Sequence, residues 1–339
     1  MSDTTDLAVV GAGILGLAVA REMLARDPDR SVRVVEREDR VGAHQTGHNS
    51  GVVHAGIYYP PGSLKAVLCR RGVELLQDFC AEHRLDYRAV AGALAADIHA
   101  AGGTVRLGTP VTAVSAAPAG PVTVRAGDAE DRLDGLVVCA GLQSDLVARM
   151  AGDAADPVIV PFRGEYYRLR PERAGLVRGL VYPVPDPAYP FLGVHFTPRV
   201  DGPVDIGPNA VLATAREGYR RRDVAVGDVL RILRSPGARR LFRQHWRAGL
   251  AEVRGSLSKH AYVAGARDYV PELTARDVVR APAGIRAQAV DRDGTLVDDF
   301  RISRLGSVTA VRNAPSPAAT SCLAIAEHLV DRLTALTAR

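Results

Sequence analysis

Lysine is almost absent from this chain: of its 43 basic residues only Lys65 and Lys259 are lysines, and the rest are arginine. With the abundant alanine, glycine and valine, this reads mainly as the imprint of a GC-rich genome. The formal net charge of +5 is a modest positive field that favours anionic small molecules. The arginines follow no zinc-finger, basic-zipper or RNA-recognition pattern, which argues against a nucleic-acid partner. Cysteine is scarce as well. Cys69, Cys80, Cys139 and Cys322 are scattered without a C-x-x-C pair, which argues against a structural zinc site or a disulfide framework and fits a reduced cytoplasm. Long apolar runs are missing too, and no window reaches the roughly 18–20 residues that a membrane span needs. The opening "MSDTTD" is polar and the apolar run after it is broken by glycines, so no secretory leader is expected. The expected location is the cytoplasm, and no metal is expected.

What is present is ordinary globular material. The 339 residues are 47% hydrophobic and 24% charged, enough for one large or two medium domains. At the N-terminus, "DLAVVGAGILGLAVAREMLARDPDRSVRVVERED" reads as strand, glycine turn, helix, strand. Leu7–Val10 enters Gly11-x-Gly13-x-x-Gly16, an amphipathic helix runs to about Arg26, and Val32–Val35 ends at Glu36. Gly11 allows the tight turn, Gly13 lets a pyrophosphate approach the backbone, and Gly16 lets the helix pack on the strand. The helix N-terminus offers unpaired N–H groups and the positive end of a dipole to the phosphates. Glu36, twenty residues past the last glycine, is placed to accept the hydroxyls of an adenosine ribose. It disfavours NADP, whose 2′-phosphate it would repel, while the motif leaves NAD and FAD both open.

Further along, "DYRAVAGALAADIHAAGG" places Tyr87, Val90, Ala91, Leu94 and Ile98 on one helical face, with Asp86 as N-cap and Gly102-Gly103 as the stop. Short strands are expected at Thr104–Leu107, Val111–Ser115 and Val122–Arg125. "LDGLVVCAGLQSD" then forms a buried strand ending in Ala140-Gly141, where backbone comes close to a ligand at the carboxyl edge of a doubly wound sheet.

The glycine motif followed by "HQTGHNSGVVHAGIYYPPGSLKAVLCRRG" resembles the FAD-dependent oxidoreductases of the D-amino-acid oxidase superfamily, and within it the L-2-hydroxyglutarate oxidase/dehydrogenase family. The segments "VPFRGEYYRL", "YPFLGVHFTPRVDGPVDIGPNAVLA", "AGIRAQAVDRDGTLVDDF" and "VRNAPSPAATSCLAIAEHL" carry the resemblance almost to the end of the chain. It departs from the family at one place. After the helix Ser63–His83, "CAEHRL" runs straight into "DYRAVAGAL", where relatives carry a further segment of the substrate domain. The junction near Leu85–Asp86 has the form of an internal deletion, which would expose sheet edges of the missing strands' neighbours.

The resemblance implies FAD as cofactor and assigns roles to residues. Gly11, Gly13, Gly16, Glu36 and Arg37 would hold the dinucleotide, with Ala140 and Gly141 at the strand end. Asn49, Ser50 and Gly51 would run beside the flavin, and His54 would lie near its ring. Tyr58 and Tyr59 would wall the substrate side, though in an extended segment neighbours face opposite ways and only one can line the pocket. Asn313, Ser316 and Thr320 would meet the pyrimidine end of the flavin ahead of the last helix, whose dipole favours the anionic reduced ring. Arg286, in Gly284-Ile285-Arg286, would grip the substrate's α-carboxylate with a planar fork worth roughly 1.5–3 kcal/mol. His195, facing opposite to Val194 and Phe196 in its strand, is one candidate for the base that takes the hydroxyl proton, and His54 is the other. Arg163 and Lys65 are unranked candidates for the distal carboxylate.

These readings imply an α/β fold: a Rossmann-like FAD domain of the glutathione-reductase type from residues 1–150 and 282–339, and a shortened mixed-sheet substrate domain over 151–281. The substrate domain would carry a helical insert at about 223–259. The implied reaction is oxidation of L-2-hydroxyglutarate to 2-oxoglutarate, with hydride passing from C2 to flavin N5 and O2 or a quinone as final acceptor. The alternatives are a flavin oxidase of another 2-hydroxy or amino acid, and a truncated, catalytically inactive relative. For "RILRSPGARRLFRQHWRAGLAEVRGSLSKH" two readings stand: a solvated arginine face, or peripheral attachment at the inner face of an anionic membrane.

Overall fold

Every branched side chain in Leu7–Val10 and Val32–Val35 favours extended backbone, and both runs are apolar enough to be buried on two faces, as parallel strands must be. They form β1 and β2 of the computed structural model, which describes residues 5–57, 59–86, 89–118, 120–184, 193–199 and 202–337. Between them lies α1 (Ile14–Arg26). The chain then makes α2 (Leu64–His83), α3 (Val90–Ala100) and β3 (Thr104–Arg106). Next come β4 (Val111–Ala116), β5 (Val122–Ala126), β6 (Ala129–Leu133), β7 (Gly135–Val138) and α4 (Ser144–Met150). A second unit follows: β8 (Val158–Leu169), β9 (His195–Pro198), β10 (Val204–Gly207), β11 (Val211–Leu212), α5 (Val226–Arg234), α6 (Pro236–Leu257), α7 (Lys259–Ala266) and β12 (Val278–Val290). The chain returns to the first unit with β13 (Arg301–Leu305), β14 (Val308–Asn313) and α8 (Cys322–Thr337). No helix among the described residues is long and apolar enough to cross a membrane.

The first unit, residues 1–47, 51–157 and 297–339, is built on a six-stranded sheet of order β13-β14-β7-β1-β2-β3. Its strands are parallel except for β13, which pairs antiparallel with β14. One face packs on α1, α2, α3 and α8 through Leu17, Leu76, Leu94, Ile98, Ile325 and Leu329. The antiparallel β4-β5-β6 sheet and α4 cover the other through Val114, Val124, Leu133 and Val147. Even the charge in β2 is accounted for: Arg33, buried, donates to Asp131 of β6 at 2.8 Å.

The second unit comprises residues 48–50 and 158–296. The sequence places its end at Ala281, whereas in the structure it runs to Leu296. β12 is one strand paired with β8 from Val278↔Leu169 to Val290↔Val158, so a division at Pro282 would cut it through its middle. The N-terminal boundary shifts only from 151 to 158, but residues 48–50 also join this unit. In its sheet, β8 has β12 on one side and β10 and β11 on the other, and β9 lies beyond β10. α7 packs on one face of the sheet through Tyr262, Val263 and Ala266, against Tyr167, Phe196 and Ile206. Among the described residues β12 pairs in register with β8 alone, and its outer edge has no ladder beyond the single Val290–Leu296 bridge. The proposed helical insert resolves into α5, α6 and the start of α7.

Candidate functional site

The glycine turn of the first unit separates what folding needs from what a ligand needs. Gly11 has φ +103°, and a Cβ on it would lie 2.6 Å from the Cys139 carbonyl oxygen. A Cβ on Gly16 would lie 2.0 Å from Gly11 O, so only glycine lets α1 rest on the β1 turn. Gly13 is different. A Cβ there would meet nothing nearer than Thr46 Oγ1 at 3.5 Å. Packing does not require that glycine; the approach of a bulky ligand to its backbone does. Beside it, Glu36 is fixed by two backbone donors, Ala12 N–H to Oε2 at 2.7 Å and Glu38 N–H to Oε1 at 3.0 Å. A carboxylate held at the end of β2, next to a glycine cradle at a helix N-terminus, suits a ribose hydroxyl pair and a pyrophosphate. These residues fit a dinucleotide.

Other nominated residues of this unit take more varied positions. Arg37 is exposed and pairs with Glu38 at 3.0 Å. Gly141, with φ +51°, follows Ala140 where the β7 ladder ends, and a Cβ on it would lie 3.1 Å from Gln45 Oε1. His54 donates its backbone N–H to Thr320 Oγ1 at 3.2 Å, so the pre-helix loop and the Gly51–Gly56 segment are tied together. Asn313 is buried, and its amide nitrogen donates to Val297 O at 3.0 Å and Asp299 O at 2.9 Å. That use of its donors makes it a brace for the chain's re-entry into this unit and leaves only its carbonyl oxygen for a ligand. Ser316 is exposed and Thr320 buried. Tyr59 is buried with the Lys65 ammonium 4.7 Å above its ring, and that ammonium pairs with Asp298 at 3.0 Å. Lys65 is therefore spent locally. Tyr58 lies outside the described residues.

In the second unit, strand register decides which side chains share a surface, because residues directly opposite in an antiparallel pair point the same way. Arg286 is opposite Phe162 and so shares a face with Gly164, Tyr166 and Arg168 of β8. Asp205 is opposite both Arg168 and Thr197, which places Thr197, and therefore His195 two residues away, on that same face. Arg286 and His195 are brought together on one side of one sheet. The segment 48–50 lies over it: a Cβ on Gly284 would come 2.5 Å from His48 O, and the His48 ring stacks on Tyr219 at 4.2 Å. Asn49 is exposed and Ser50 half-buried.

His195 is buried, stacks on Tyr182 at 4.3 Å, and places Nδ1 3.0 Å from Gly193 O. A carbonyl can only accept, so Nδ1 carries the proton and Nε2 of the neutral ring carries the lone pair. Tyr166 was not anticipated from the sequence. Burial pushes its phenol up to about 12 against the opposing charge of Arg286, so at neutral pH it is an uncharged donor on the Arg286 face.

Arg163 falls on the other face with Glu165 and Tyr167, since β8 alternates without interruption. It donates to Glu165 Oε1 at 3.2 Å, and Arg221 grips the same carboxylate at 2.9 and 2.7 Å. Burial raises the Glu165 carboxyl, but hydrogen bonds from Arg221 and Ser256, with the charge of Arg163, hold it below the usual range. Register thus places Arg163 on the face away from Arg286. A cleft of about 380 Å³ is lined by Arg163, Glu165 and Arg221 and also by Tyr166 and Arg280, and contains neither Arg286 nor His195.

Known proteins give the arrangement a family. The FAD dependent oxidoreductase (DAO) family matches residues 6–90 and 82–332, in two segments that meet at the shortened α2–α3 junction. L-2-hydroxyglutarate dehydrogenase of Nematostella vectensis is 40% identical over 413 aligned positions, covering 98% of this chain and 91% of that protein. The human enzyme is 38% identical over 97% of this chain and 88% of its own length, and the Escherichia coli K12 enzyme 36% over 98% and 94%. The first alignment is longer than the 339 residues of the chain, so it is interrupted where the relative carries residues lacking here. Among solved structures, L-α-glycerophosphate oxidase of Mycoplasma pneumoniae superposes with a TM-score of 0.69 at 17% identity, over 97% of this chain and 94% of that one. L-amino acid deaminase of Proteus myxofaciens gives 0.66 at 14% identity, over 99% and 91%; both show the fold alone. The chain belongs to the FAD-dependent oxidoreductases of the D-amino-acid oxidase type, in the branch of the L-2-hydroxyglutarate dehydrogenases, with FAD as its cofactor.

Proposed function

We propose that this chain oxidises L-2-hydroxyglutarate to 2-oxoglutarate. The observation that carries the reading is the shared sheet face of Arg286 and His195. The guanidinium of Arg286 would hold the C1 carboxylate at two points and so fix which hydrogen of C2 is presented. His195, with its Nδ1 proton committed to Gly193 O, would take the hydroxyl proton at Nε2 as the C2 hydrogen leaves. Tyr166, neutral and beside Arg286, would donate to the substrate rather than compete for its proton. Bound FAD would supply the two-electron acceptor, and O2 or a quinone would reoxidise it. His54, held by its backbone in the nucleotide unit, is the second candidate base, and His195 ranks first because it shares a sheet with Arg286.

A second reading has its own support. The family match breaks at the α2–α3 junction and β12 has an open edge, as in a chain that has lost part of its substrate sheet. Anaerobic titration of the purified flavoprotein with L- and D-2-hydroxyglutarate separates the two. Bleaching by the L form alone supports the oxidation. A yellow protein that neither enantiomer bleaches refutes it and leaves an FAD-binding, inactive relative.

A further inference from the structure

The cleft of about 380 Å³ in the second unit is lined by five arginines, Arg163, Arg220, Arg221, Arg222 and Arg280, and by one acid, Glu165. That acid is already committed, since Arg163 donates to it at 3.2 Å and Arg221 at 2.9 and 2.7 Å. Arg220, Arg222 and Arg280 are exposed, and the side chain of none of them pairs with a carboxylate among the described residues. The nearest acid along the chain, Asp223, turns a carboxylate oxygen to the Arg220 backbone N–H at 2.8 Å and does not line the cleft. Strand register sets Arg280 opposite Tyr167, on the same sheet face as Arg163 and Glu165. Tyr167, 2% exposed, also lines the cleft, and its hydroxyl has no hydrogen-bond partner among the described residues.

The arginine run is pinned in place before any ligand arrives. Arg221 is held by Glu165 and by Ser256 O, and Arg163 Nη1 lies 3.4 Å from Arg220 O. Five positive charges against one negative leave an excess of four in one concavity. Such an excess is self-repelling, and a cleft of one sign focuses its field on anions. Guanidinium forks match the paired oxygens of carboxylate and phosphate alike. A monoanion leaves most of that charge unanswered, whereas a compact polyanion answers it, and an anion oxygen is the acceptor that a buried phenol lacks. The volume falls at the small end of the roughly 300–1,000 Å³ usual for small-molecule sites. Neither Arg286 nor His195 lines the cleft, so it is separate from the groups assigned to the oxidation.

We propose that this cleft is a second anion site, which takes a compact polyanion bearing several carboxylates or phosphates. The proposal does not depend on the substrate assignment, and its test does not read turnover. The full-length flavoprotein is titrated in a calorimeter with citrate and with inorganic pyrophosphate at constant ionic strength, with acetate as the monovalent control. The expected result is saturable one-to-one binding of a polyanion, with acetate at least roughly tenfold weaker. Preference for citrate identifies a carboxylate ligand, and preference for pyrophosphate a phosphate one. Arg222→Gln and Arg280→Gln should each weaken that binding roughly tenfold or more, the factor for one charge-assisted hydrogen bond. Neither arginine has an ion-pair partner to lose, so the melting temperature should hold, and the response of the flavin to L-2-hydroxyglutarate should be that of the wild type. Heats that never saturate overturn the proposal, as does saturable binding that both variants leave intact. It is also overturned if the two variants lose the flavin's response to L-2-hydroxyglutarate along with polyanion binding, which would make the cleft part of the substrate site.

Discussion

Strand register gives two arginines of one sheet different jobs, and substituting each by methionine tests that division directly. Arg286→Met would remove the proposed two-point grip on a carboxylate, worth about 1.5–3 kcal/mol, or roughly 10- to 150-fold in substrate affinity. Its side chain is half-buried, and methionine keeps most of its packing, so stability should change little. Arg163→Met should do the reverse. It takes one cation from a buried cluster in which Glu165 keeps the Arg221 contacts at 2.9 and 2.7 Å, so the carboxylate is not orphaned. The expected cost is therefore about 1–3 kcal/mol of stability, below the roughly 3–5 kcal/mol of an unpaired buried ion. At about 2–4 °C per kcal/mol this lowers the melting temperature by several degrees. Anaerobic titration of the bound flavin with L-2-hydroxyglutarate reads the dissociation constant and limiting rate, and thermal unfolding of the same samples reads stability. If Arg163→Met weakened substrate binding as much as Arg286→Met while keeping the wild-type melting temperature, the face assignment from β8 and β12 would be wrong.

Other expectations follow from local chemistry. Arg84 closes α2 in the left-handed region at φ 53°, the one described residue other than glycine with positive φ, with Leu85 N–H bonded back to Cys80 O at 2.9 Å. Arg84→Gly should stabilise the chain by about 0.5–1 kcal/mol, the relief of the Cβ clash less the added freedom of the unfolded chain. Arg84→Ala should not, and denaturant unfolding of the pair compares them. The His83 ring donates its Nε2–H to Asp97 Oδ1 at 2.9 Å, and that hydrogen bond holds the imidazole above its ordinary value. A raised histidine contributes stability that is complete below its unfolded pKa and lost as pH climbs through its folded one. The melting-temperature gap between wild type and His83→Gln should thus be widest in mild acid and close above neutrality; a gap that widens with pH contradicts the assignment. All four cysteines are buried, and burial pushes the thiols of Cys139 and Cys322 up to about 12. Both should resist a thiol reagent at neutral pH until the protein unfolds, and stoichiometric labelling of either in the native state would show that it opens.

The nucleotide half was legible because its signals are local. Gly11, Gly13, Gly16 and Glu36 sit in one strand–helix–strand run, and each is there for a steric or hydrogen-bonding reason that spacing expresses. The Arg286 face was legible only in part. "VPFRGEYYRL" mixes polar and apolar side chains on both faces of its strand, with charged Arg163 and Glu165 on the more buried one, so apolar-polar alternation does not say which of Arg163 and Tyr166 accompanies Arg286. That answer lies in the partner register, including the shift between Ala281 and Gly284 that no local pattern announces. The same shift hid the domain boundary, since Pro282 reads as a break when it is an irregularity inside one strand. Asn313 was nominated for the flavin because it precedes the last helix, and only long-range contacts show its amide bridging Val297 and Asp299.

The shortened junction bears differently on folding and on chemistry. In the first unit, α2 and α3 are joined without loss: His83 of α2 meets Asp97 of α3 at 2.9 Å, and Asp97 meets Arg21 of α1 at 2.6 Å. Three helices that flank the parallel sheet are thereby tied beside the point of deletion, so the nucleotide site is insulated from it. In the second unit the cost falls on β12, whose long outer edge would invite pairing with other chains. That edge carries its own guards: exposed Arg280, exposed Pro282 without an N–H to offer, and a register shift that breaks a flat template. Arg286 is positioned by its pairing with β8 and His195 by the pairing of β9 with β10, neither of which depends on a strand beyond β12. The two groups proposed for the reaction therefore share their face without help from a strand beyond β12, and what the shortened junction can still take away is the proposed wall around the substrate. Loss of that wall would weaken binding and admit water while leaving the proton-accepting geometry of His195 intact.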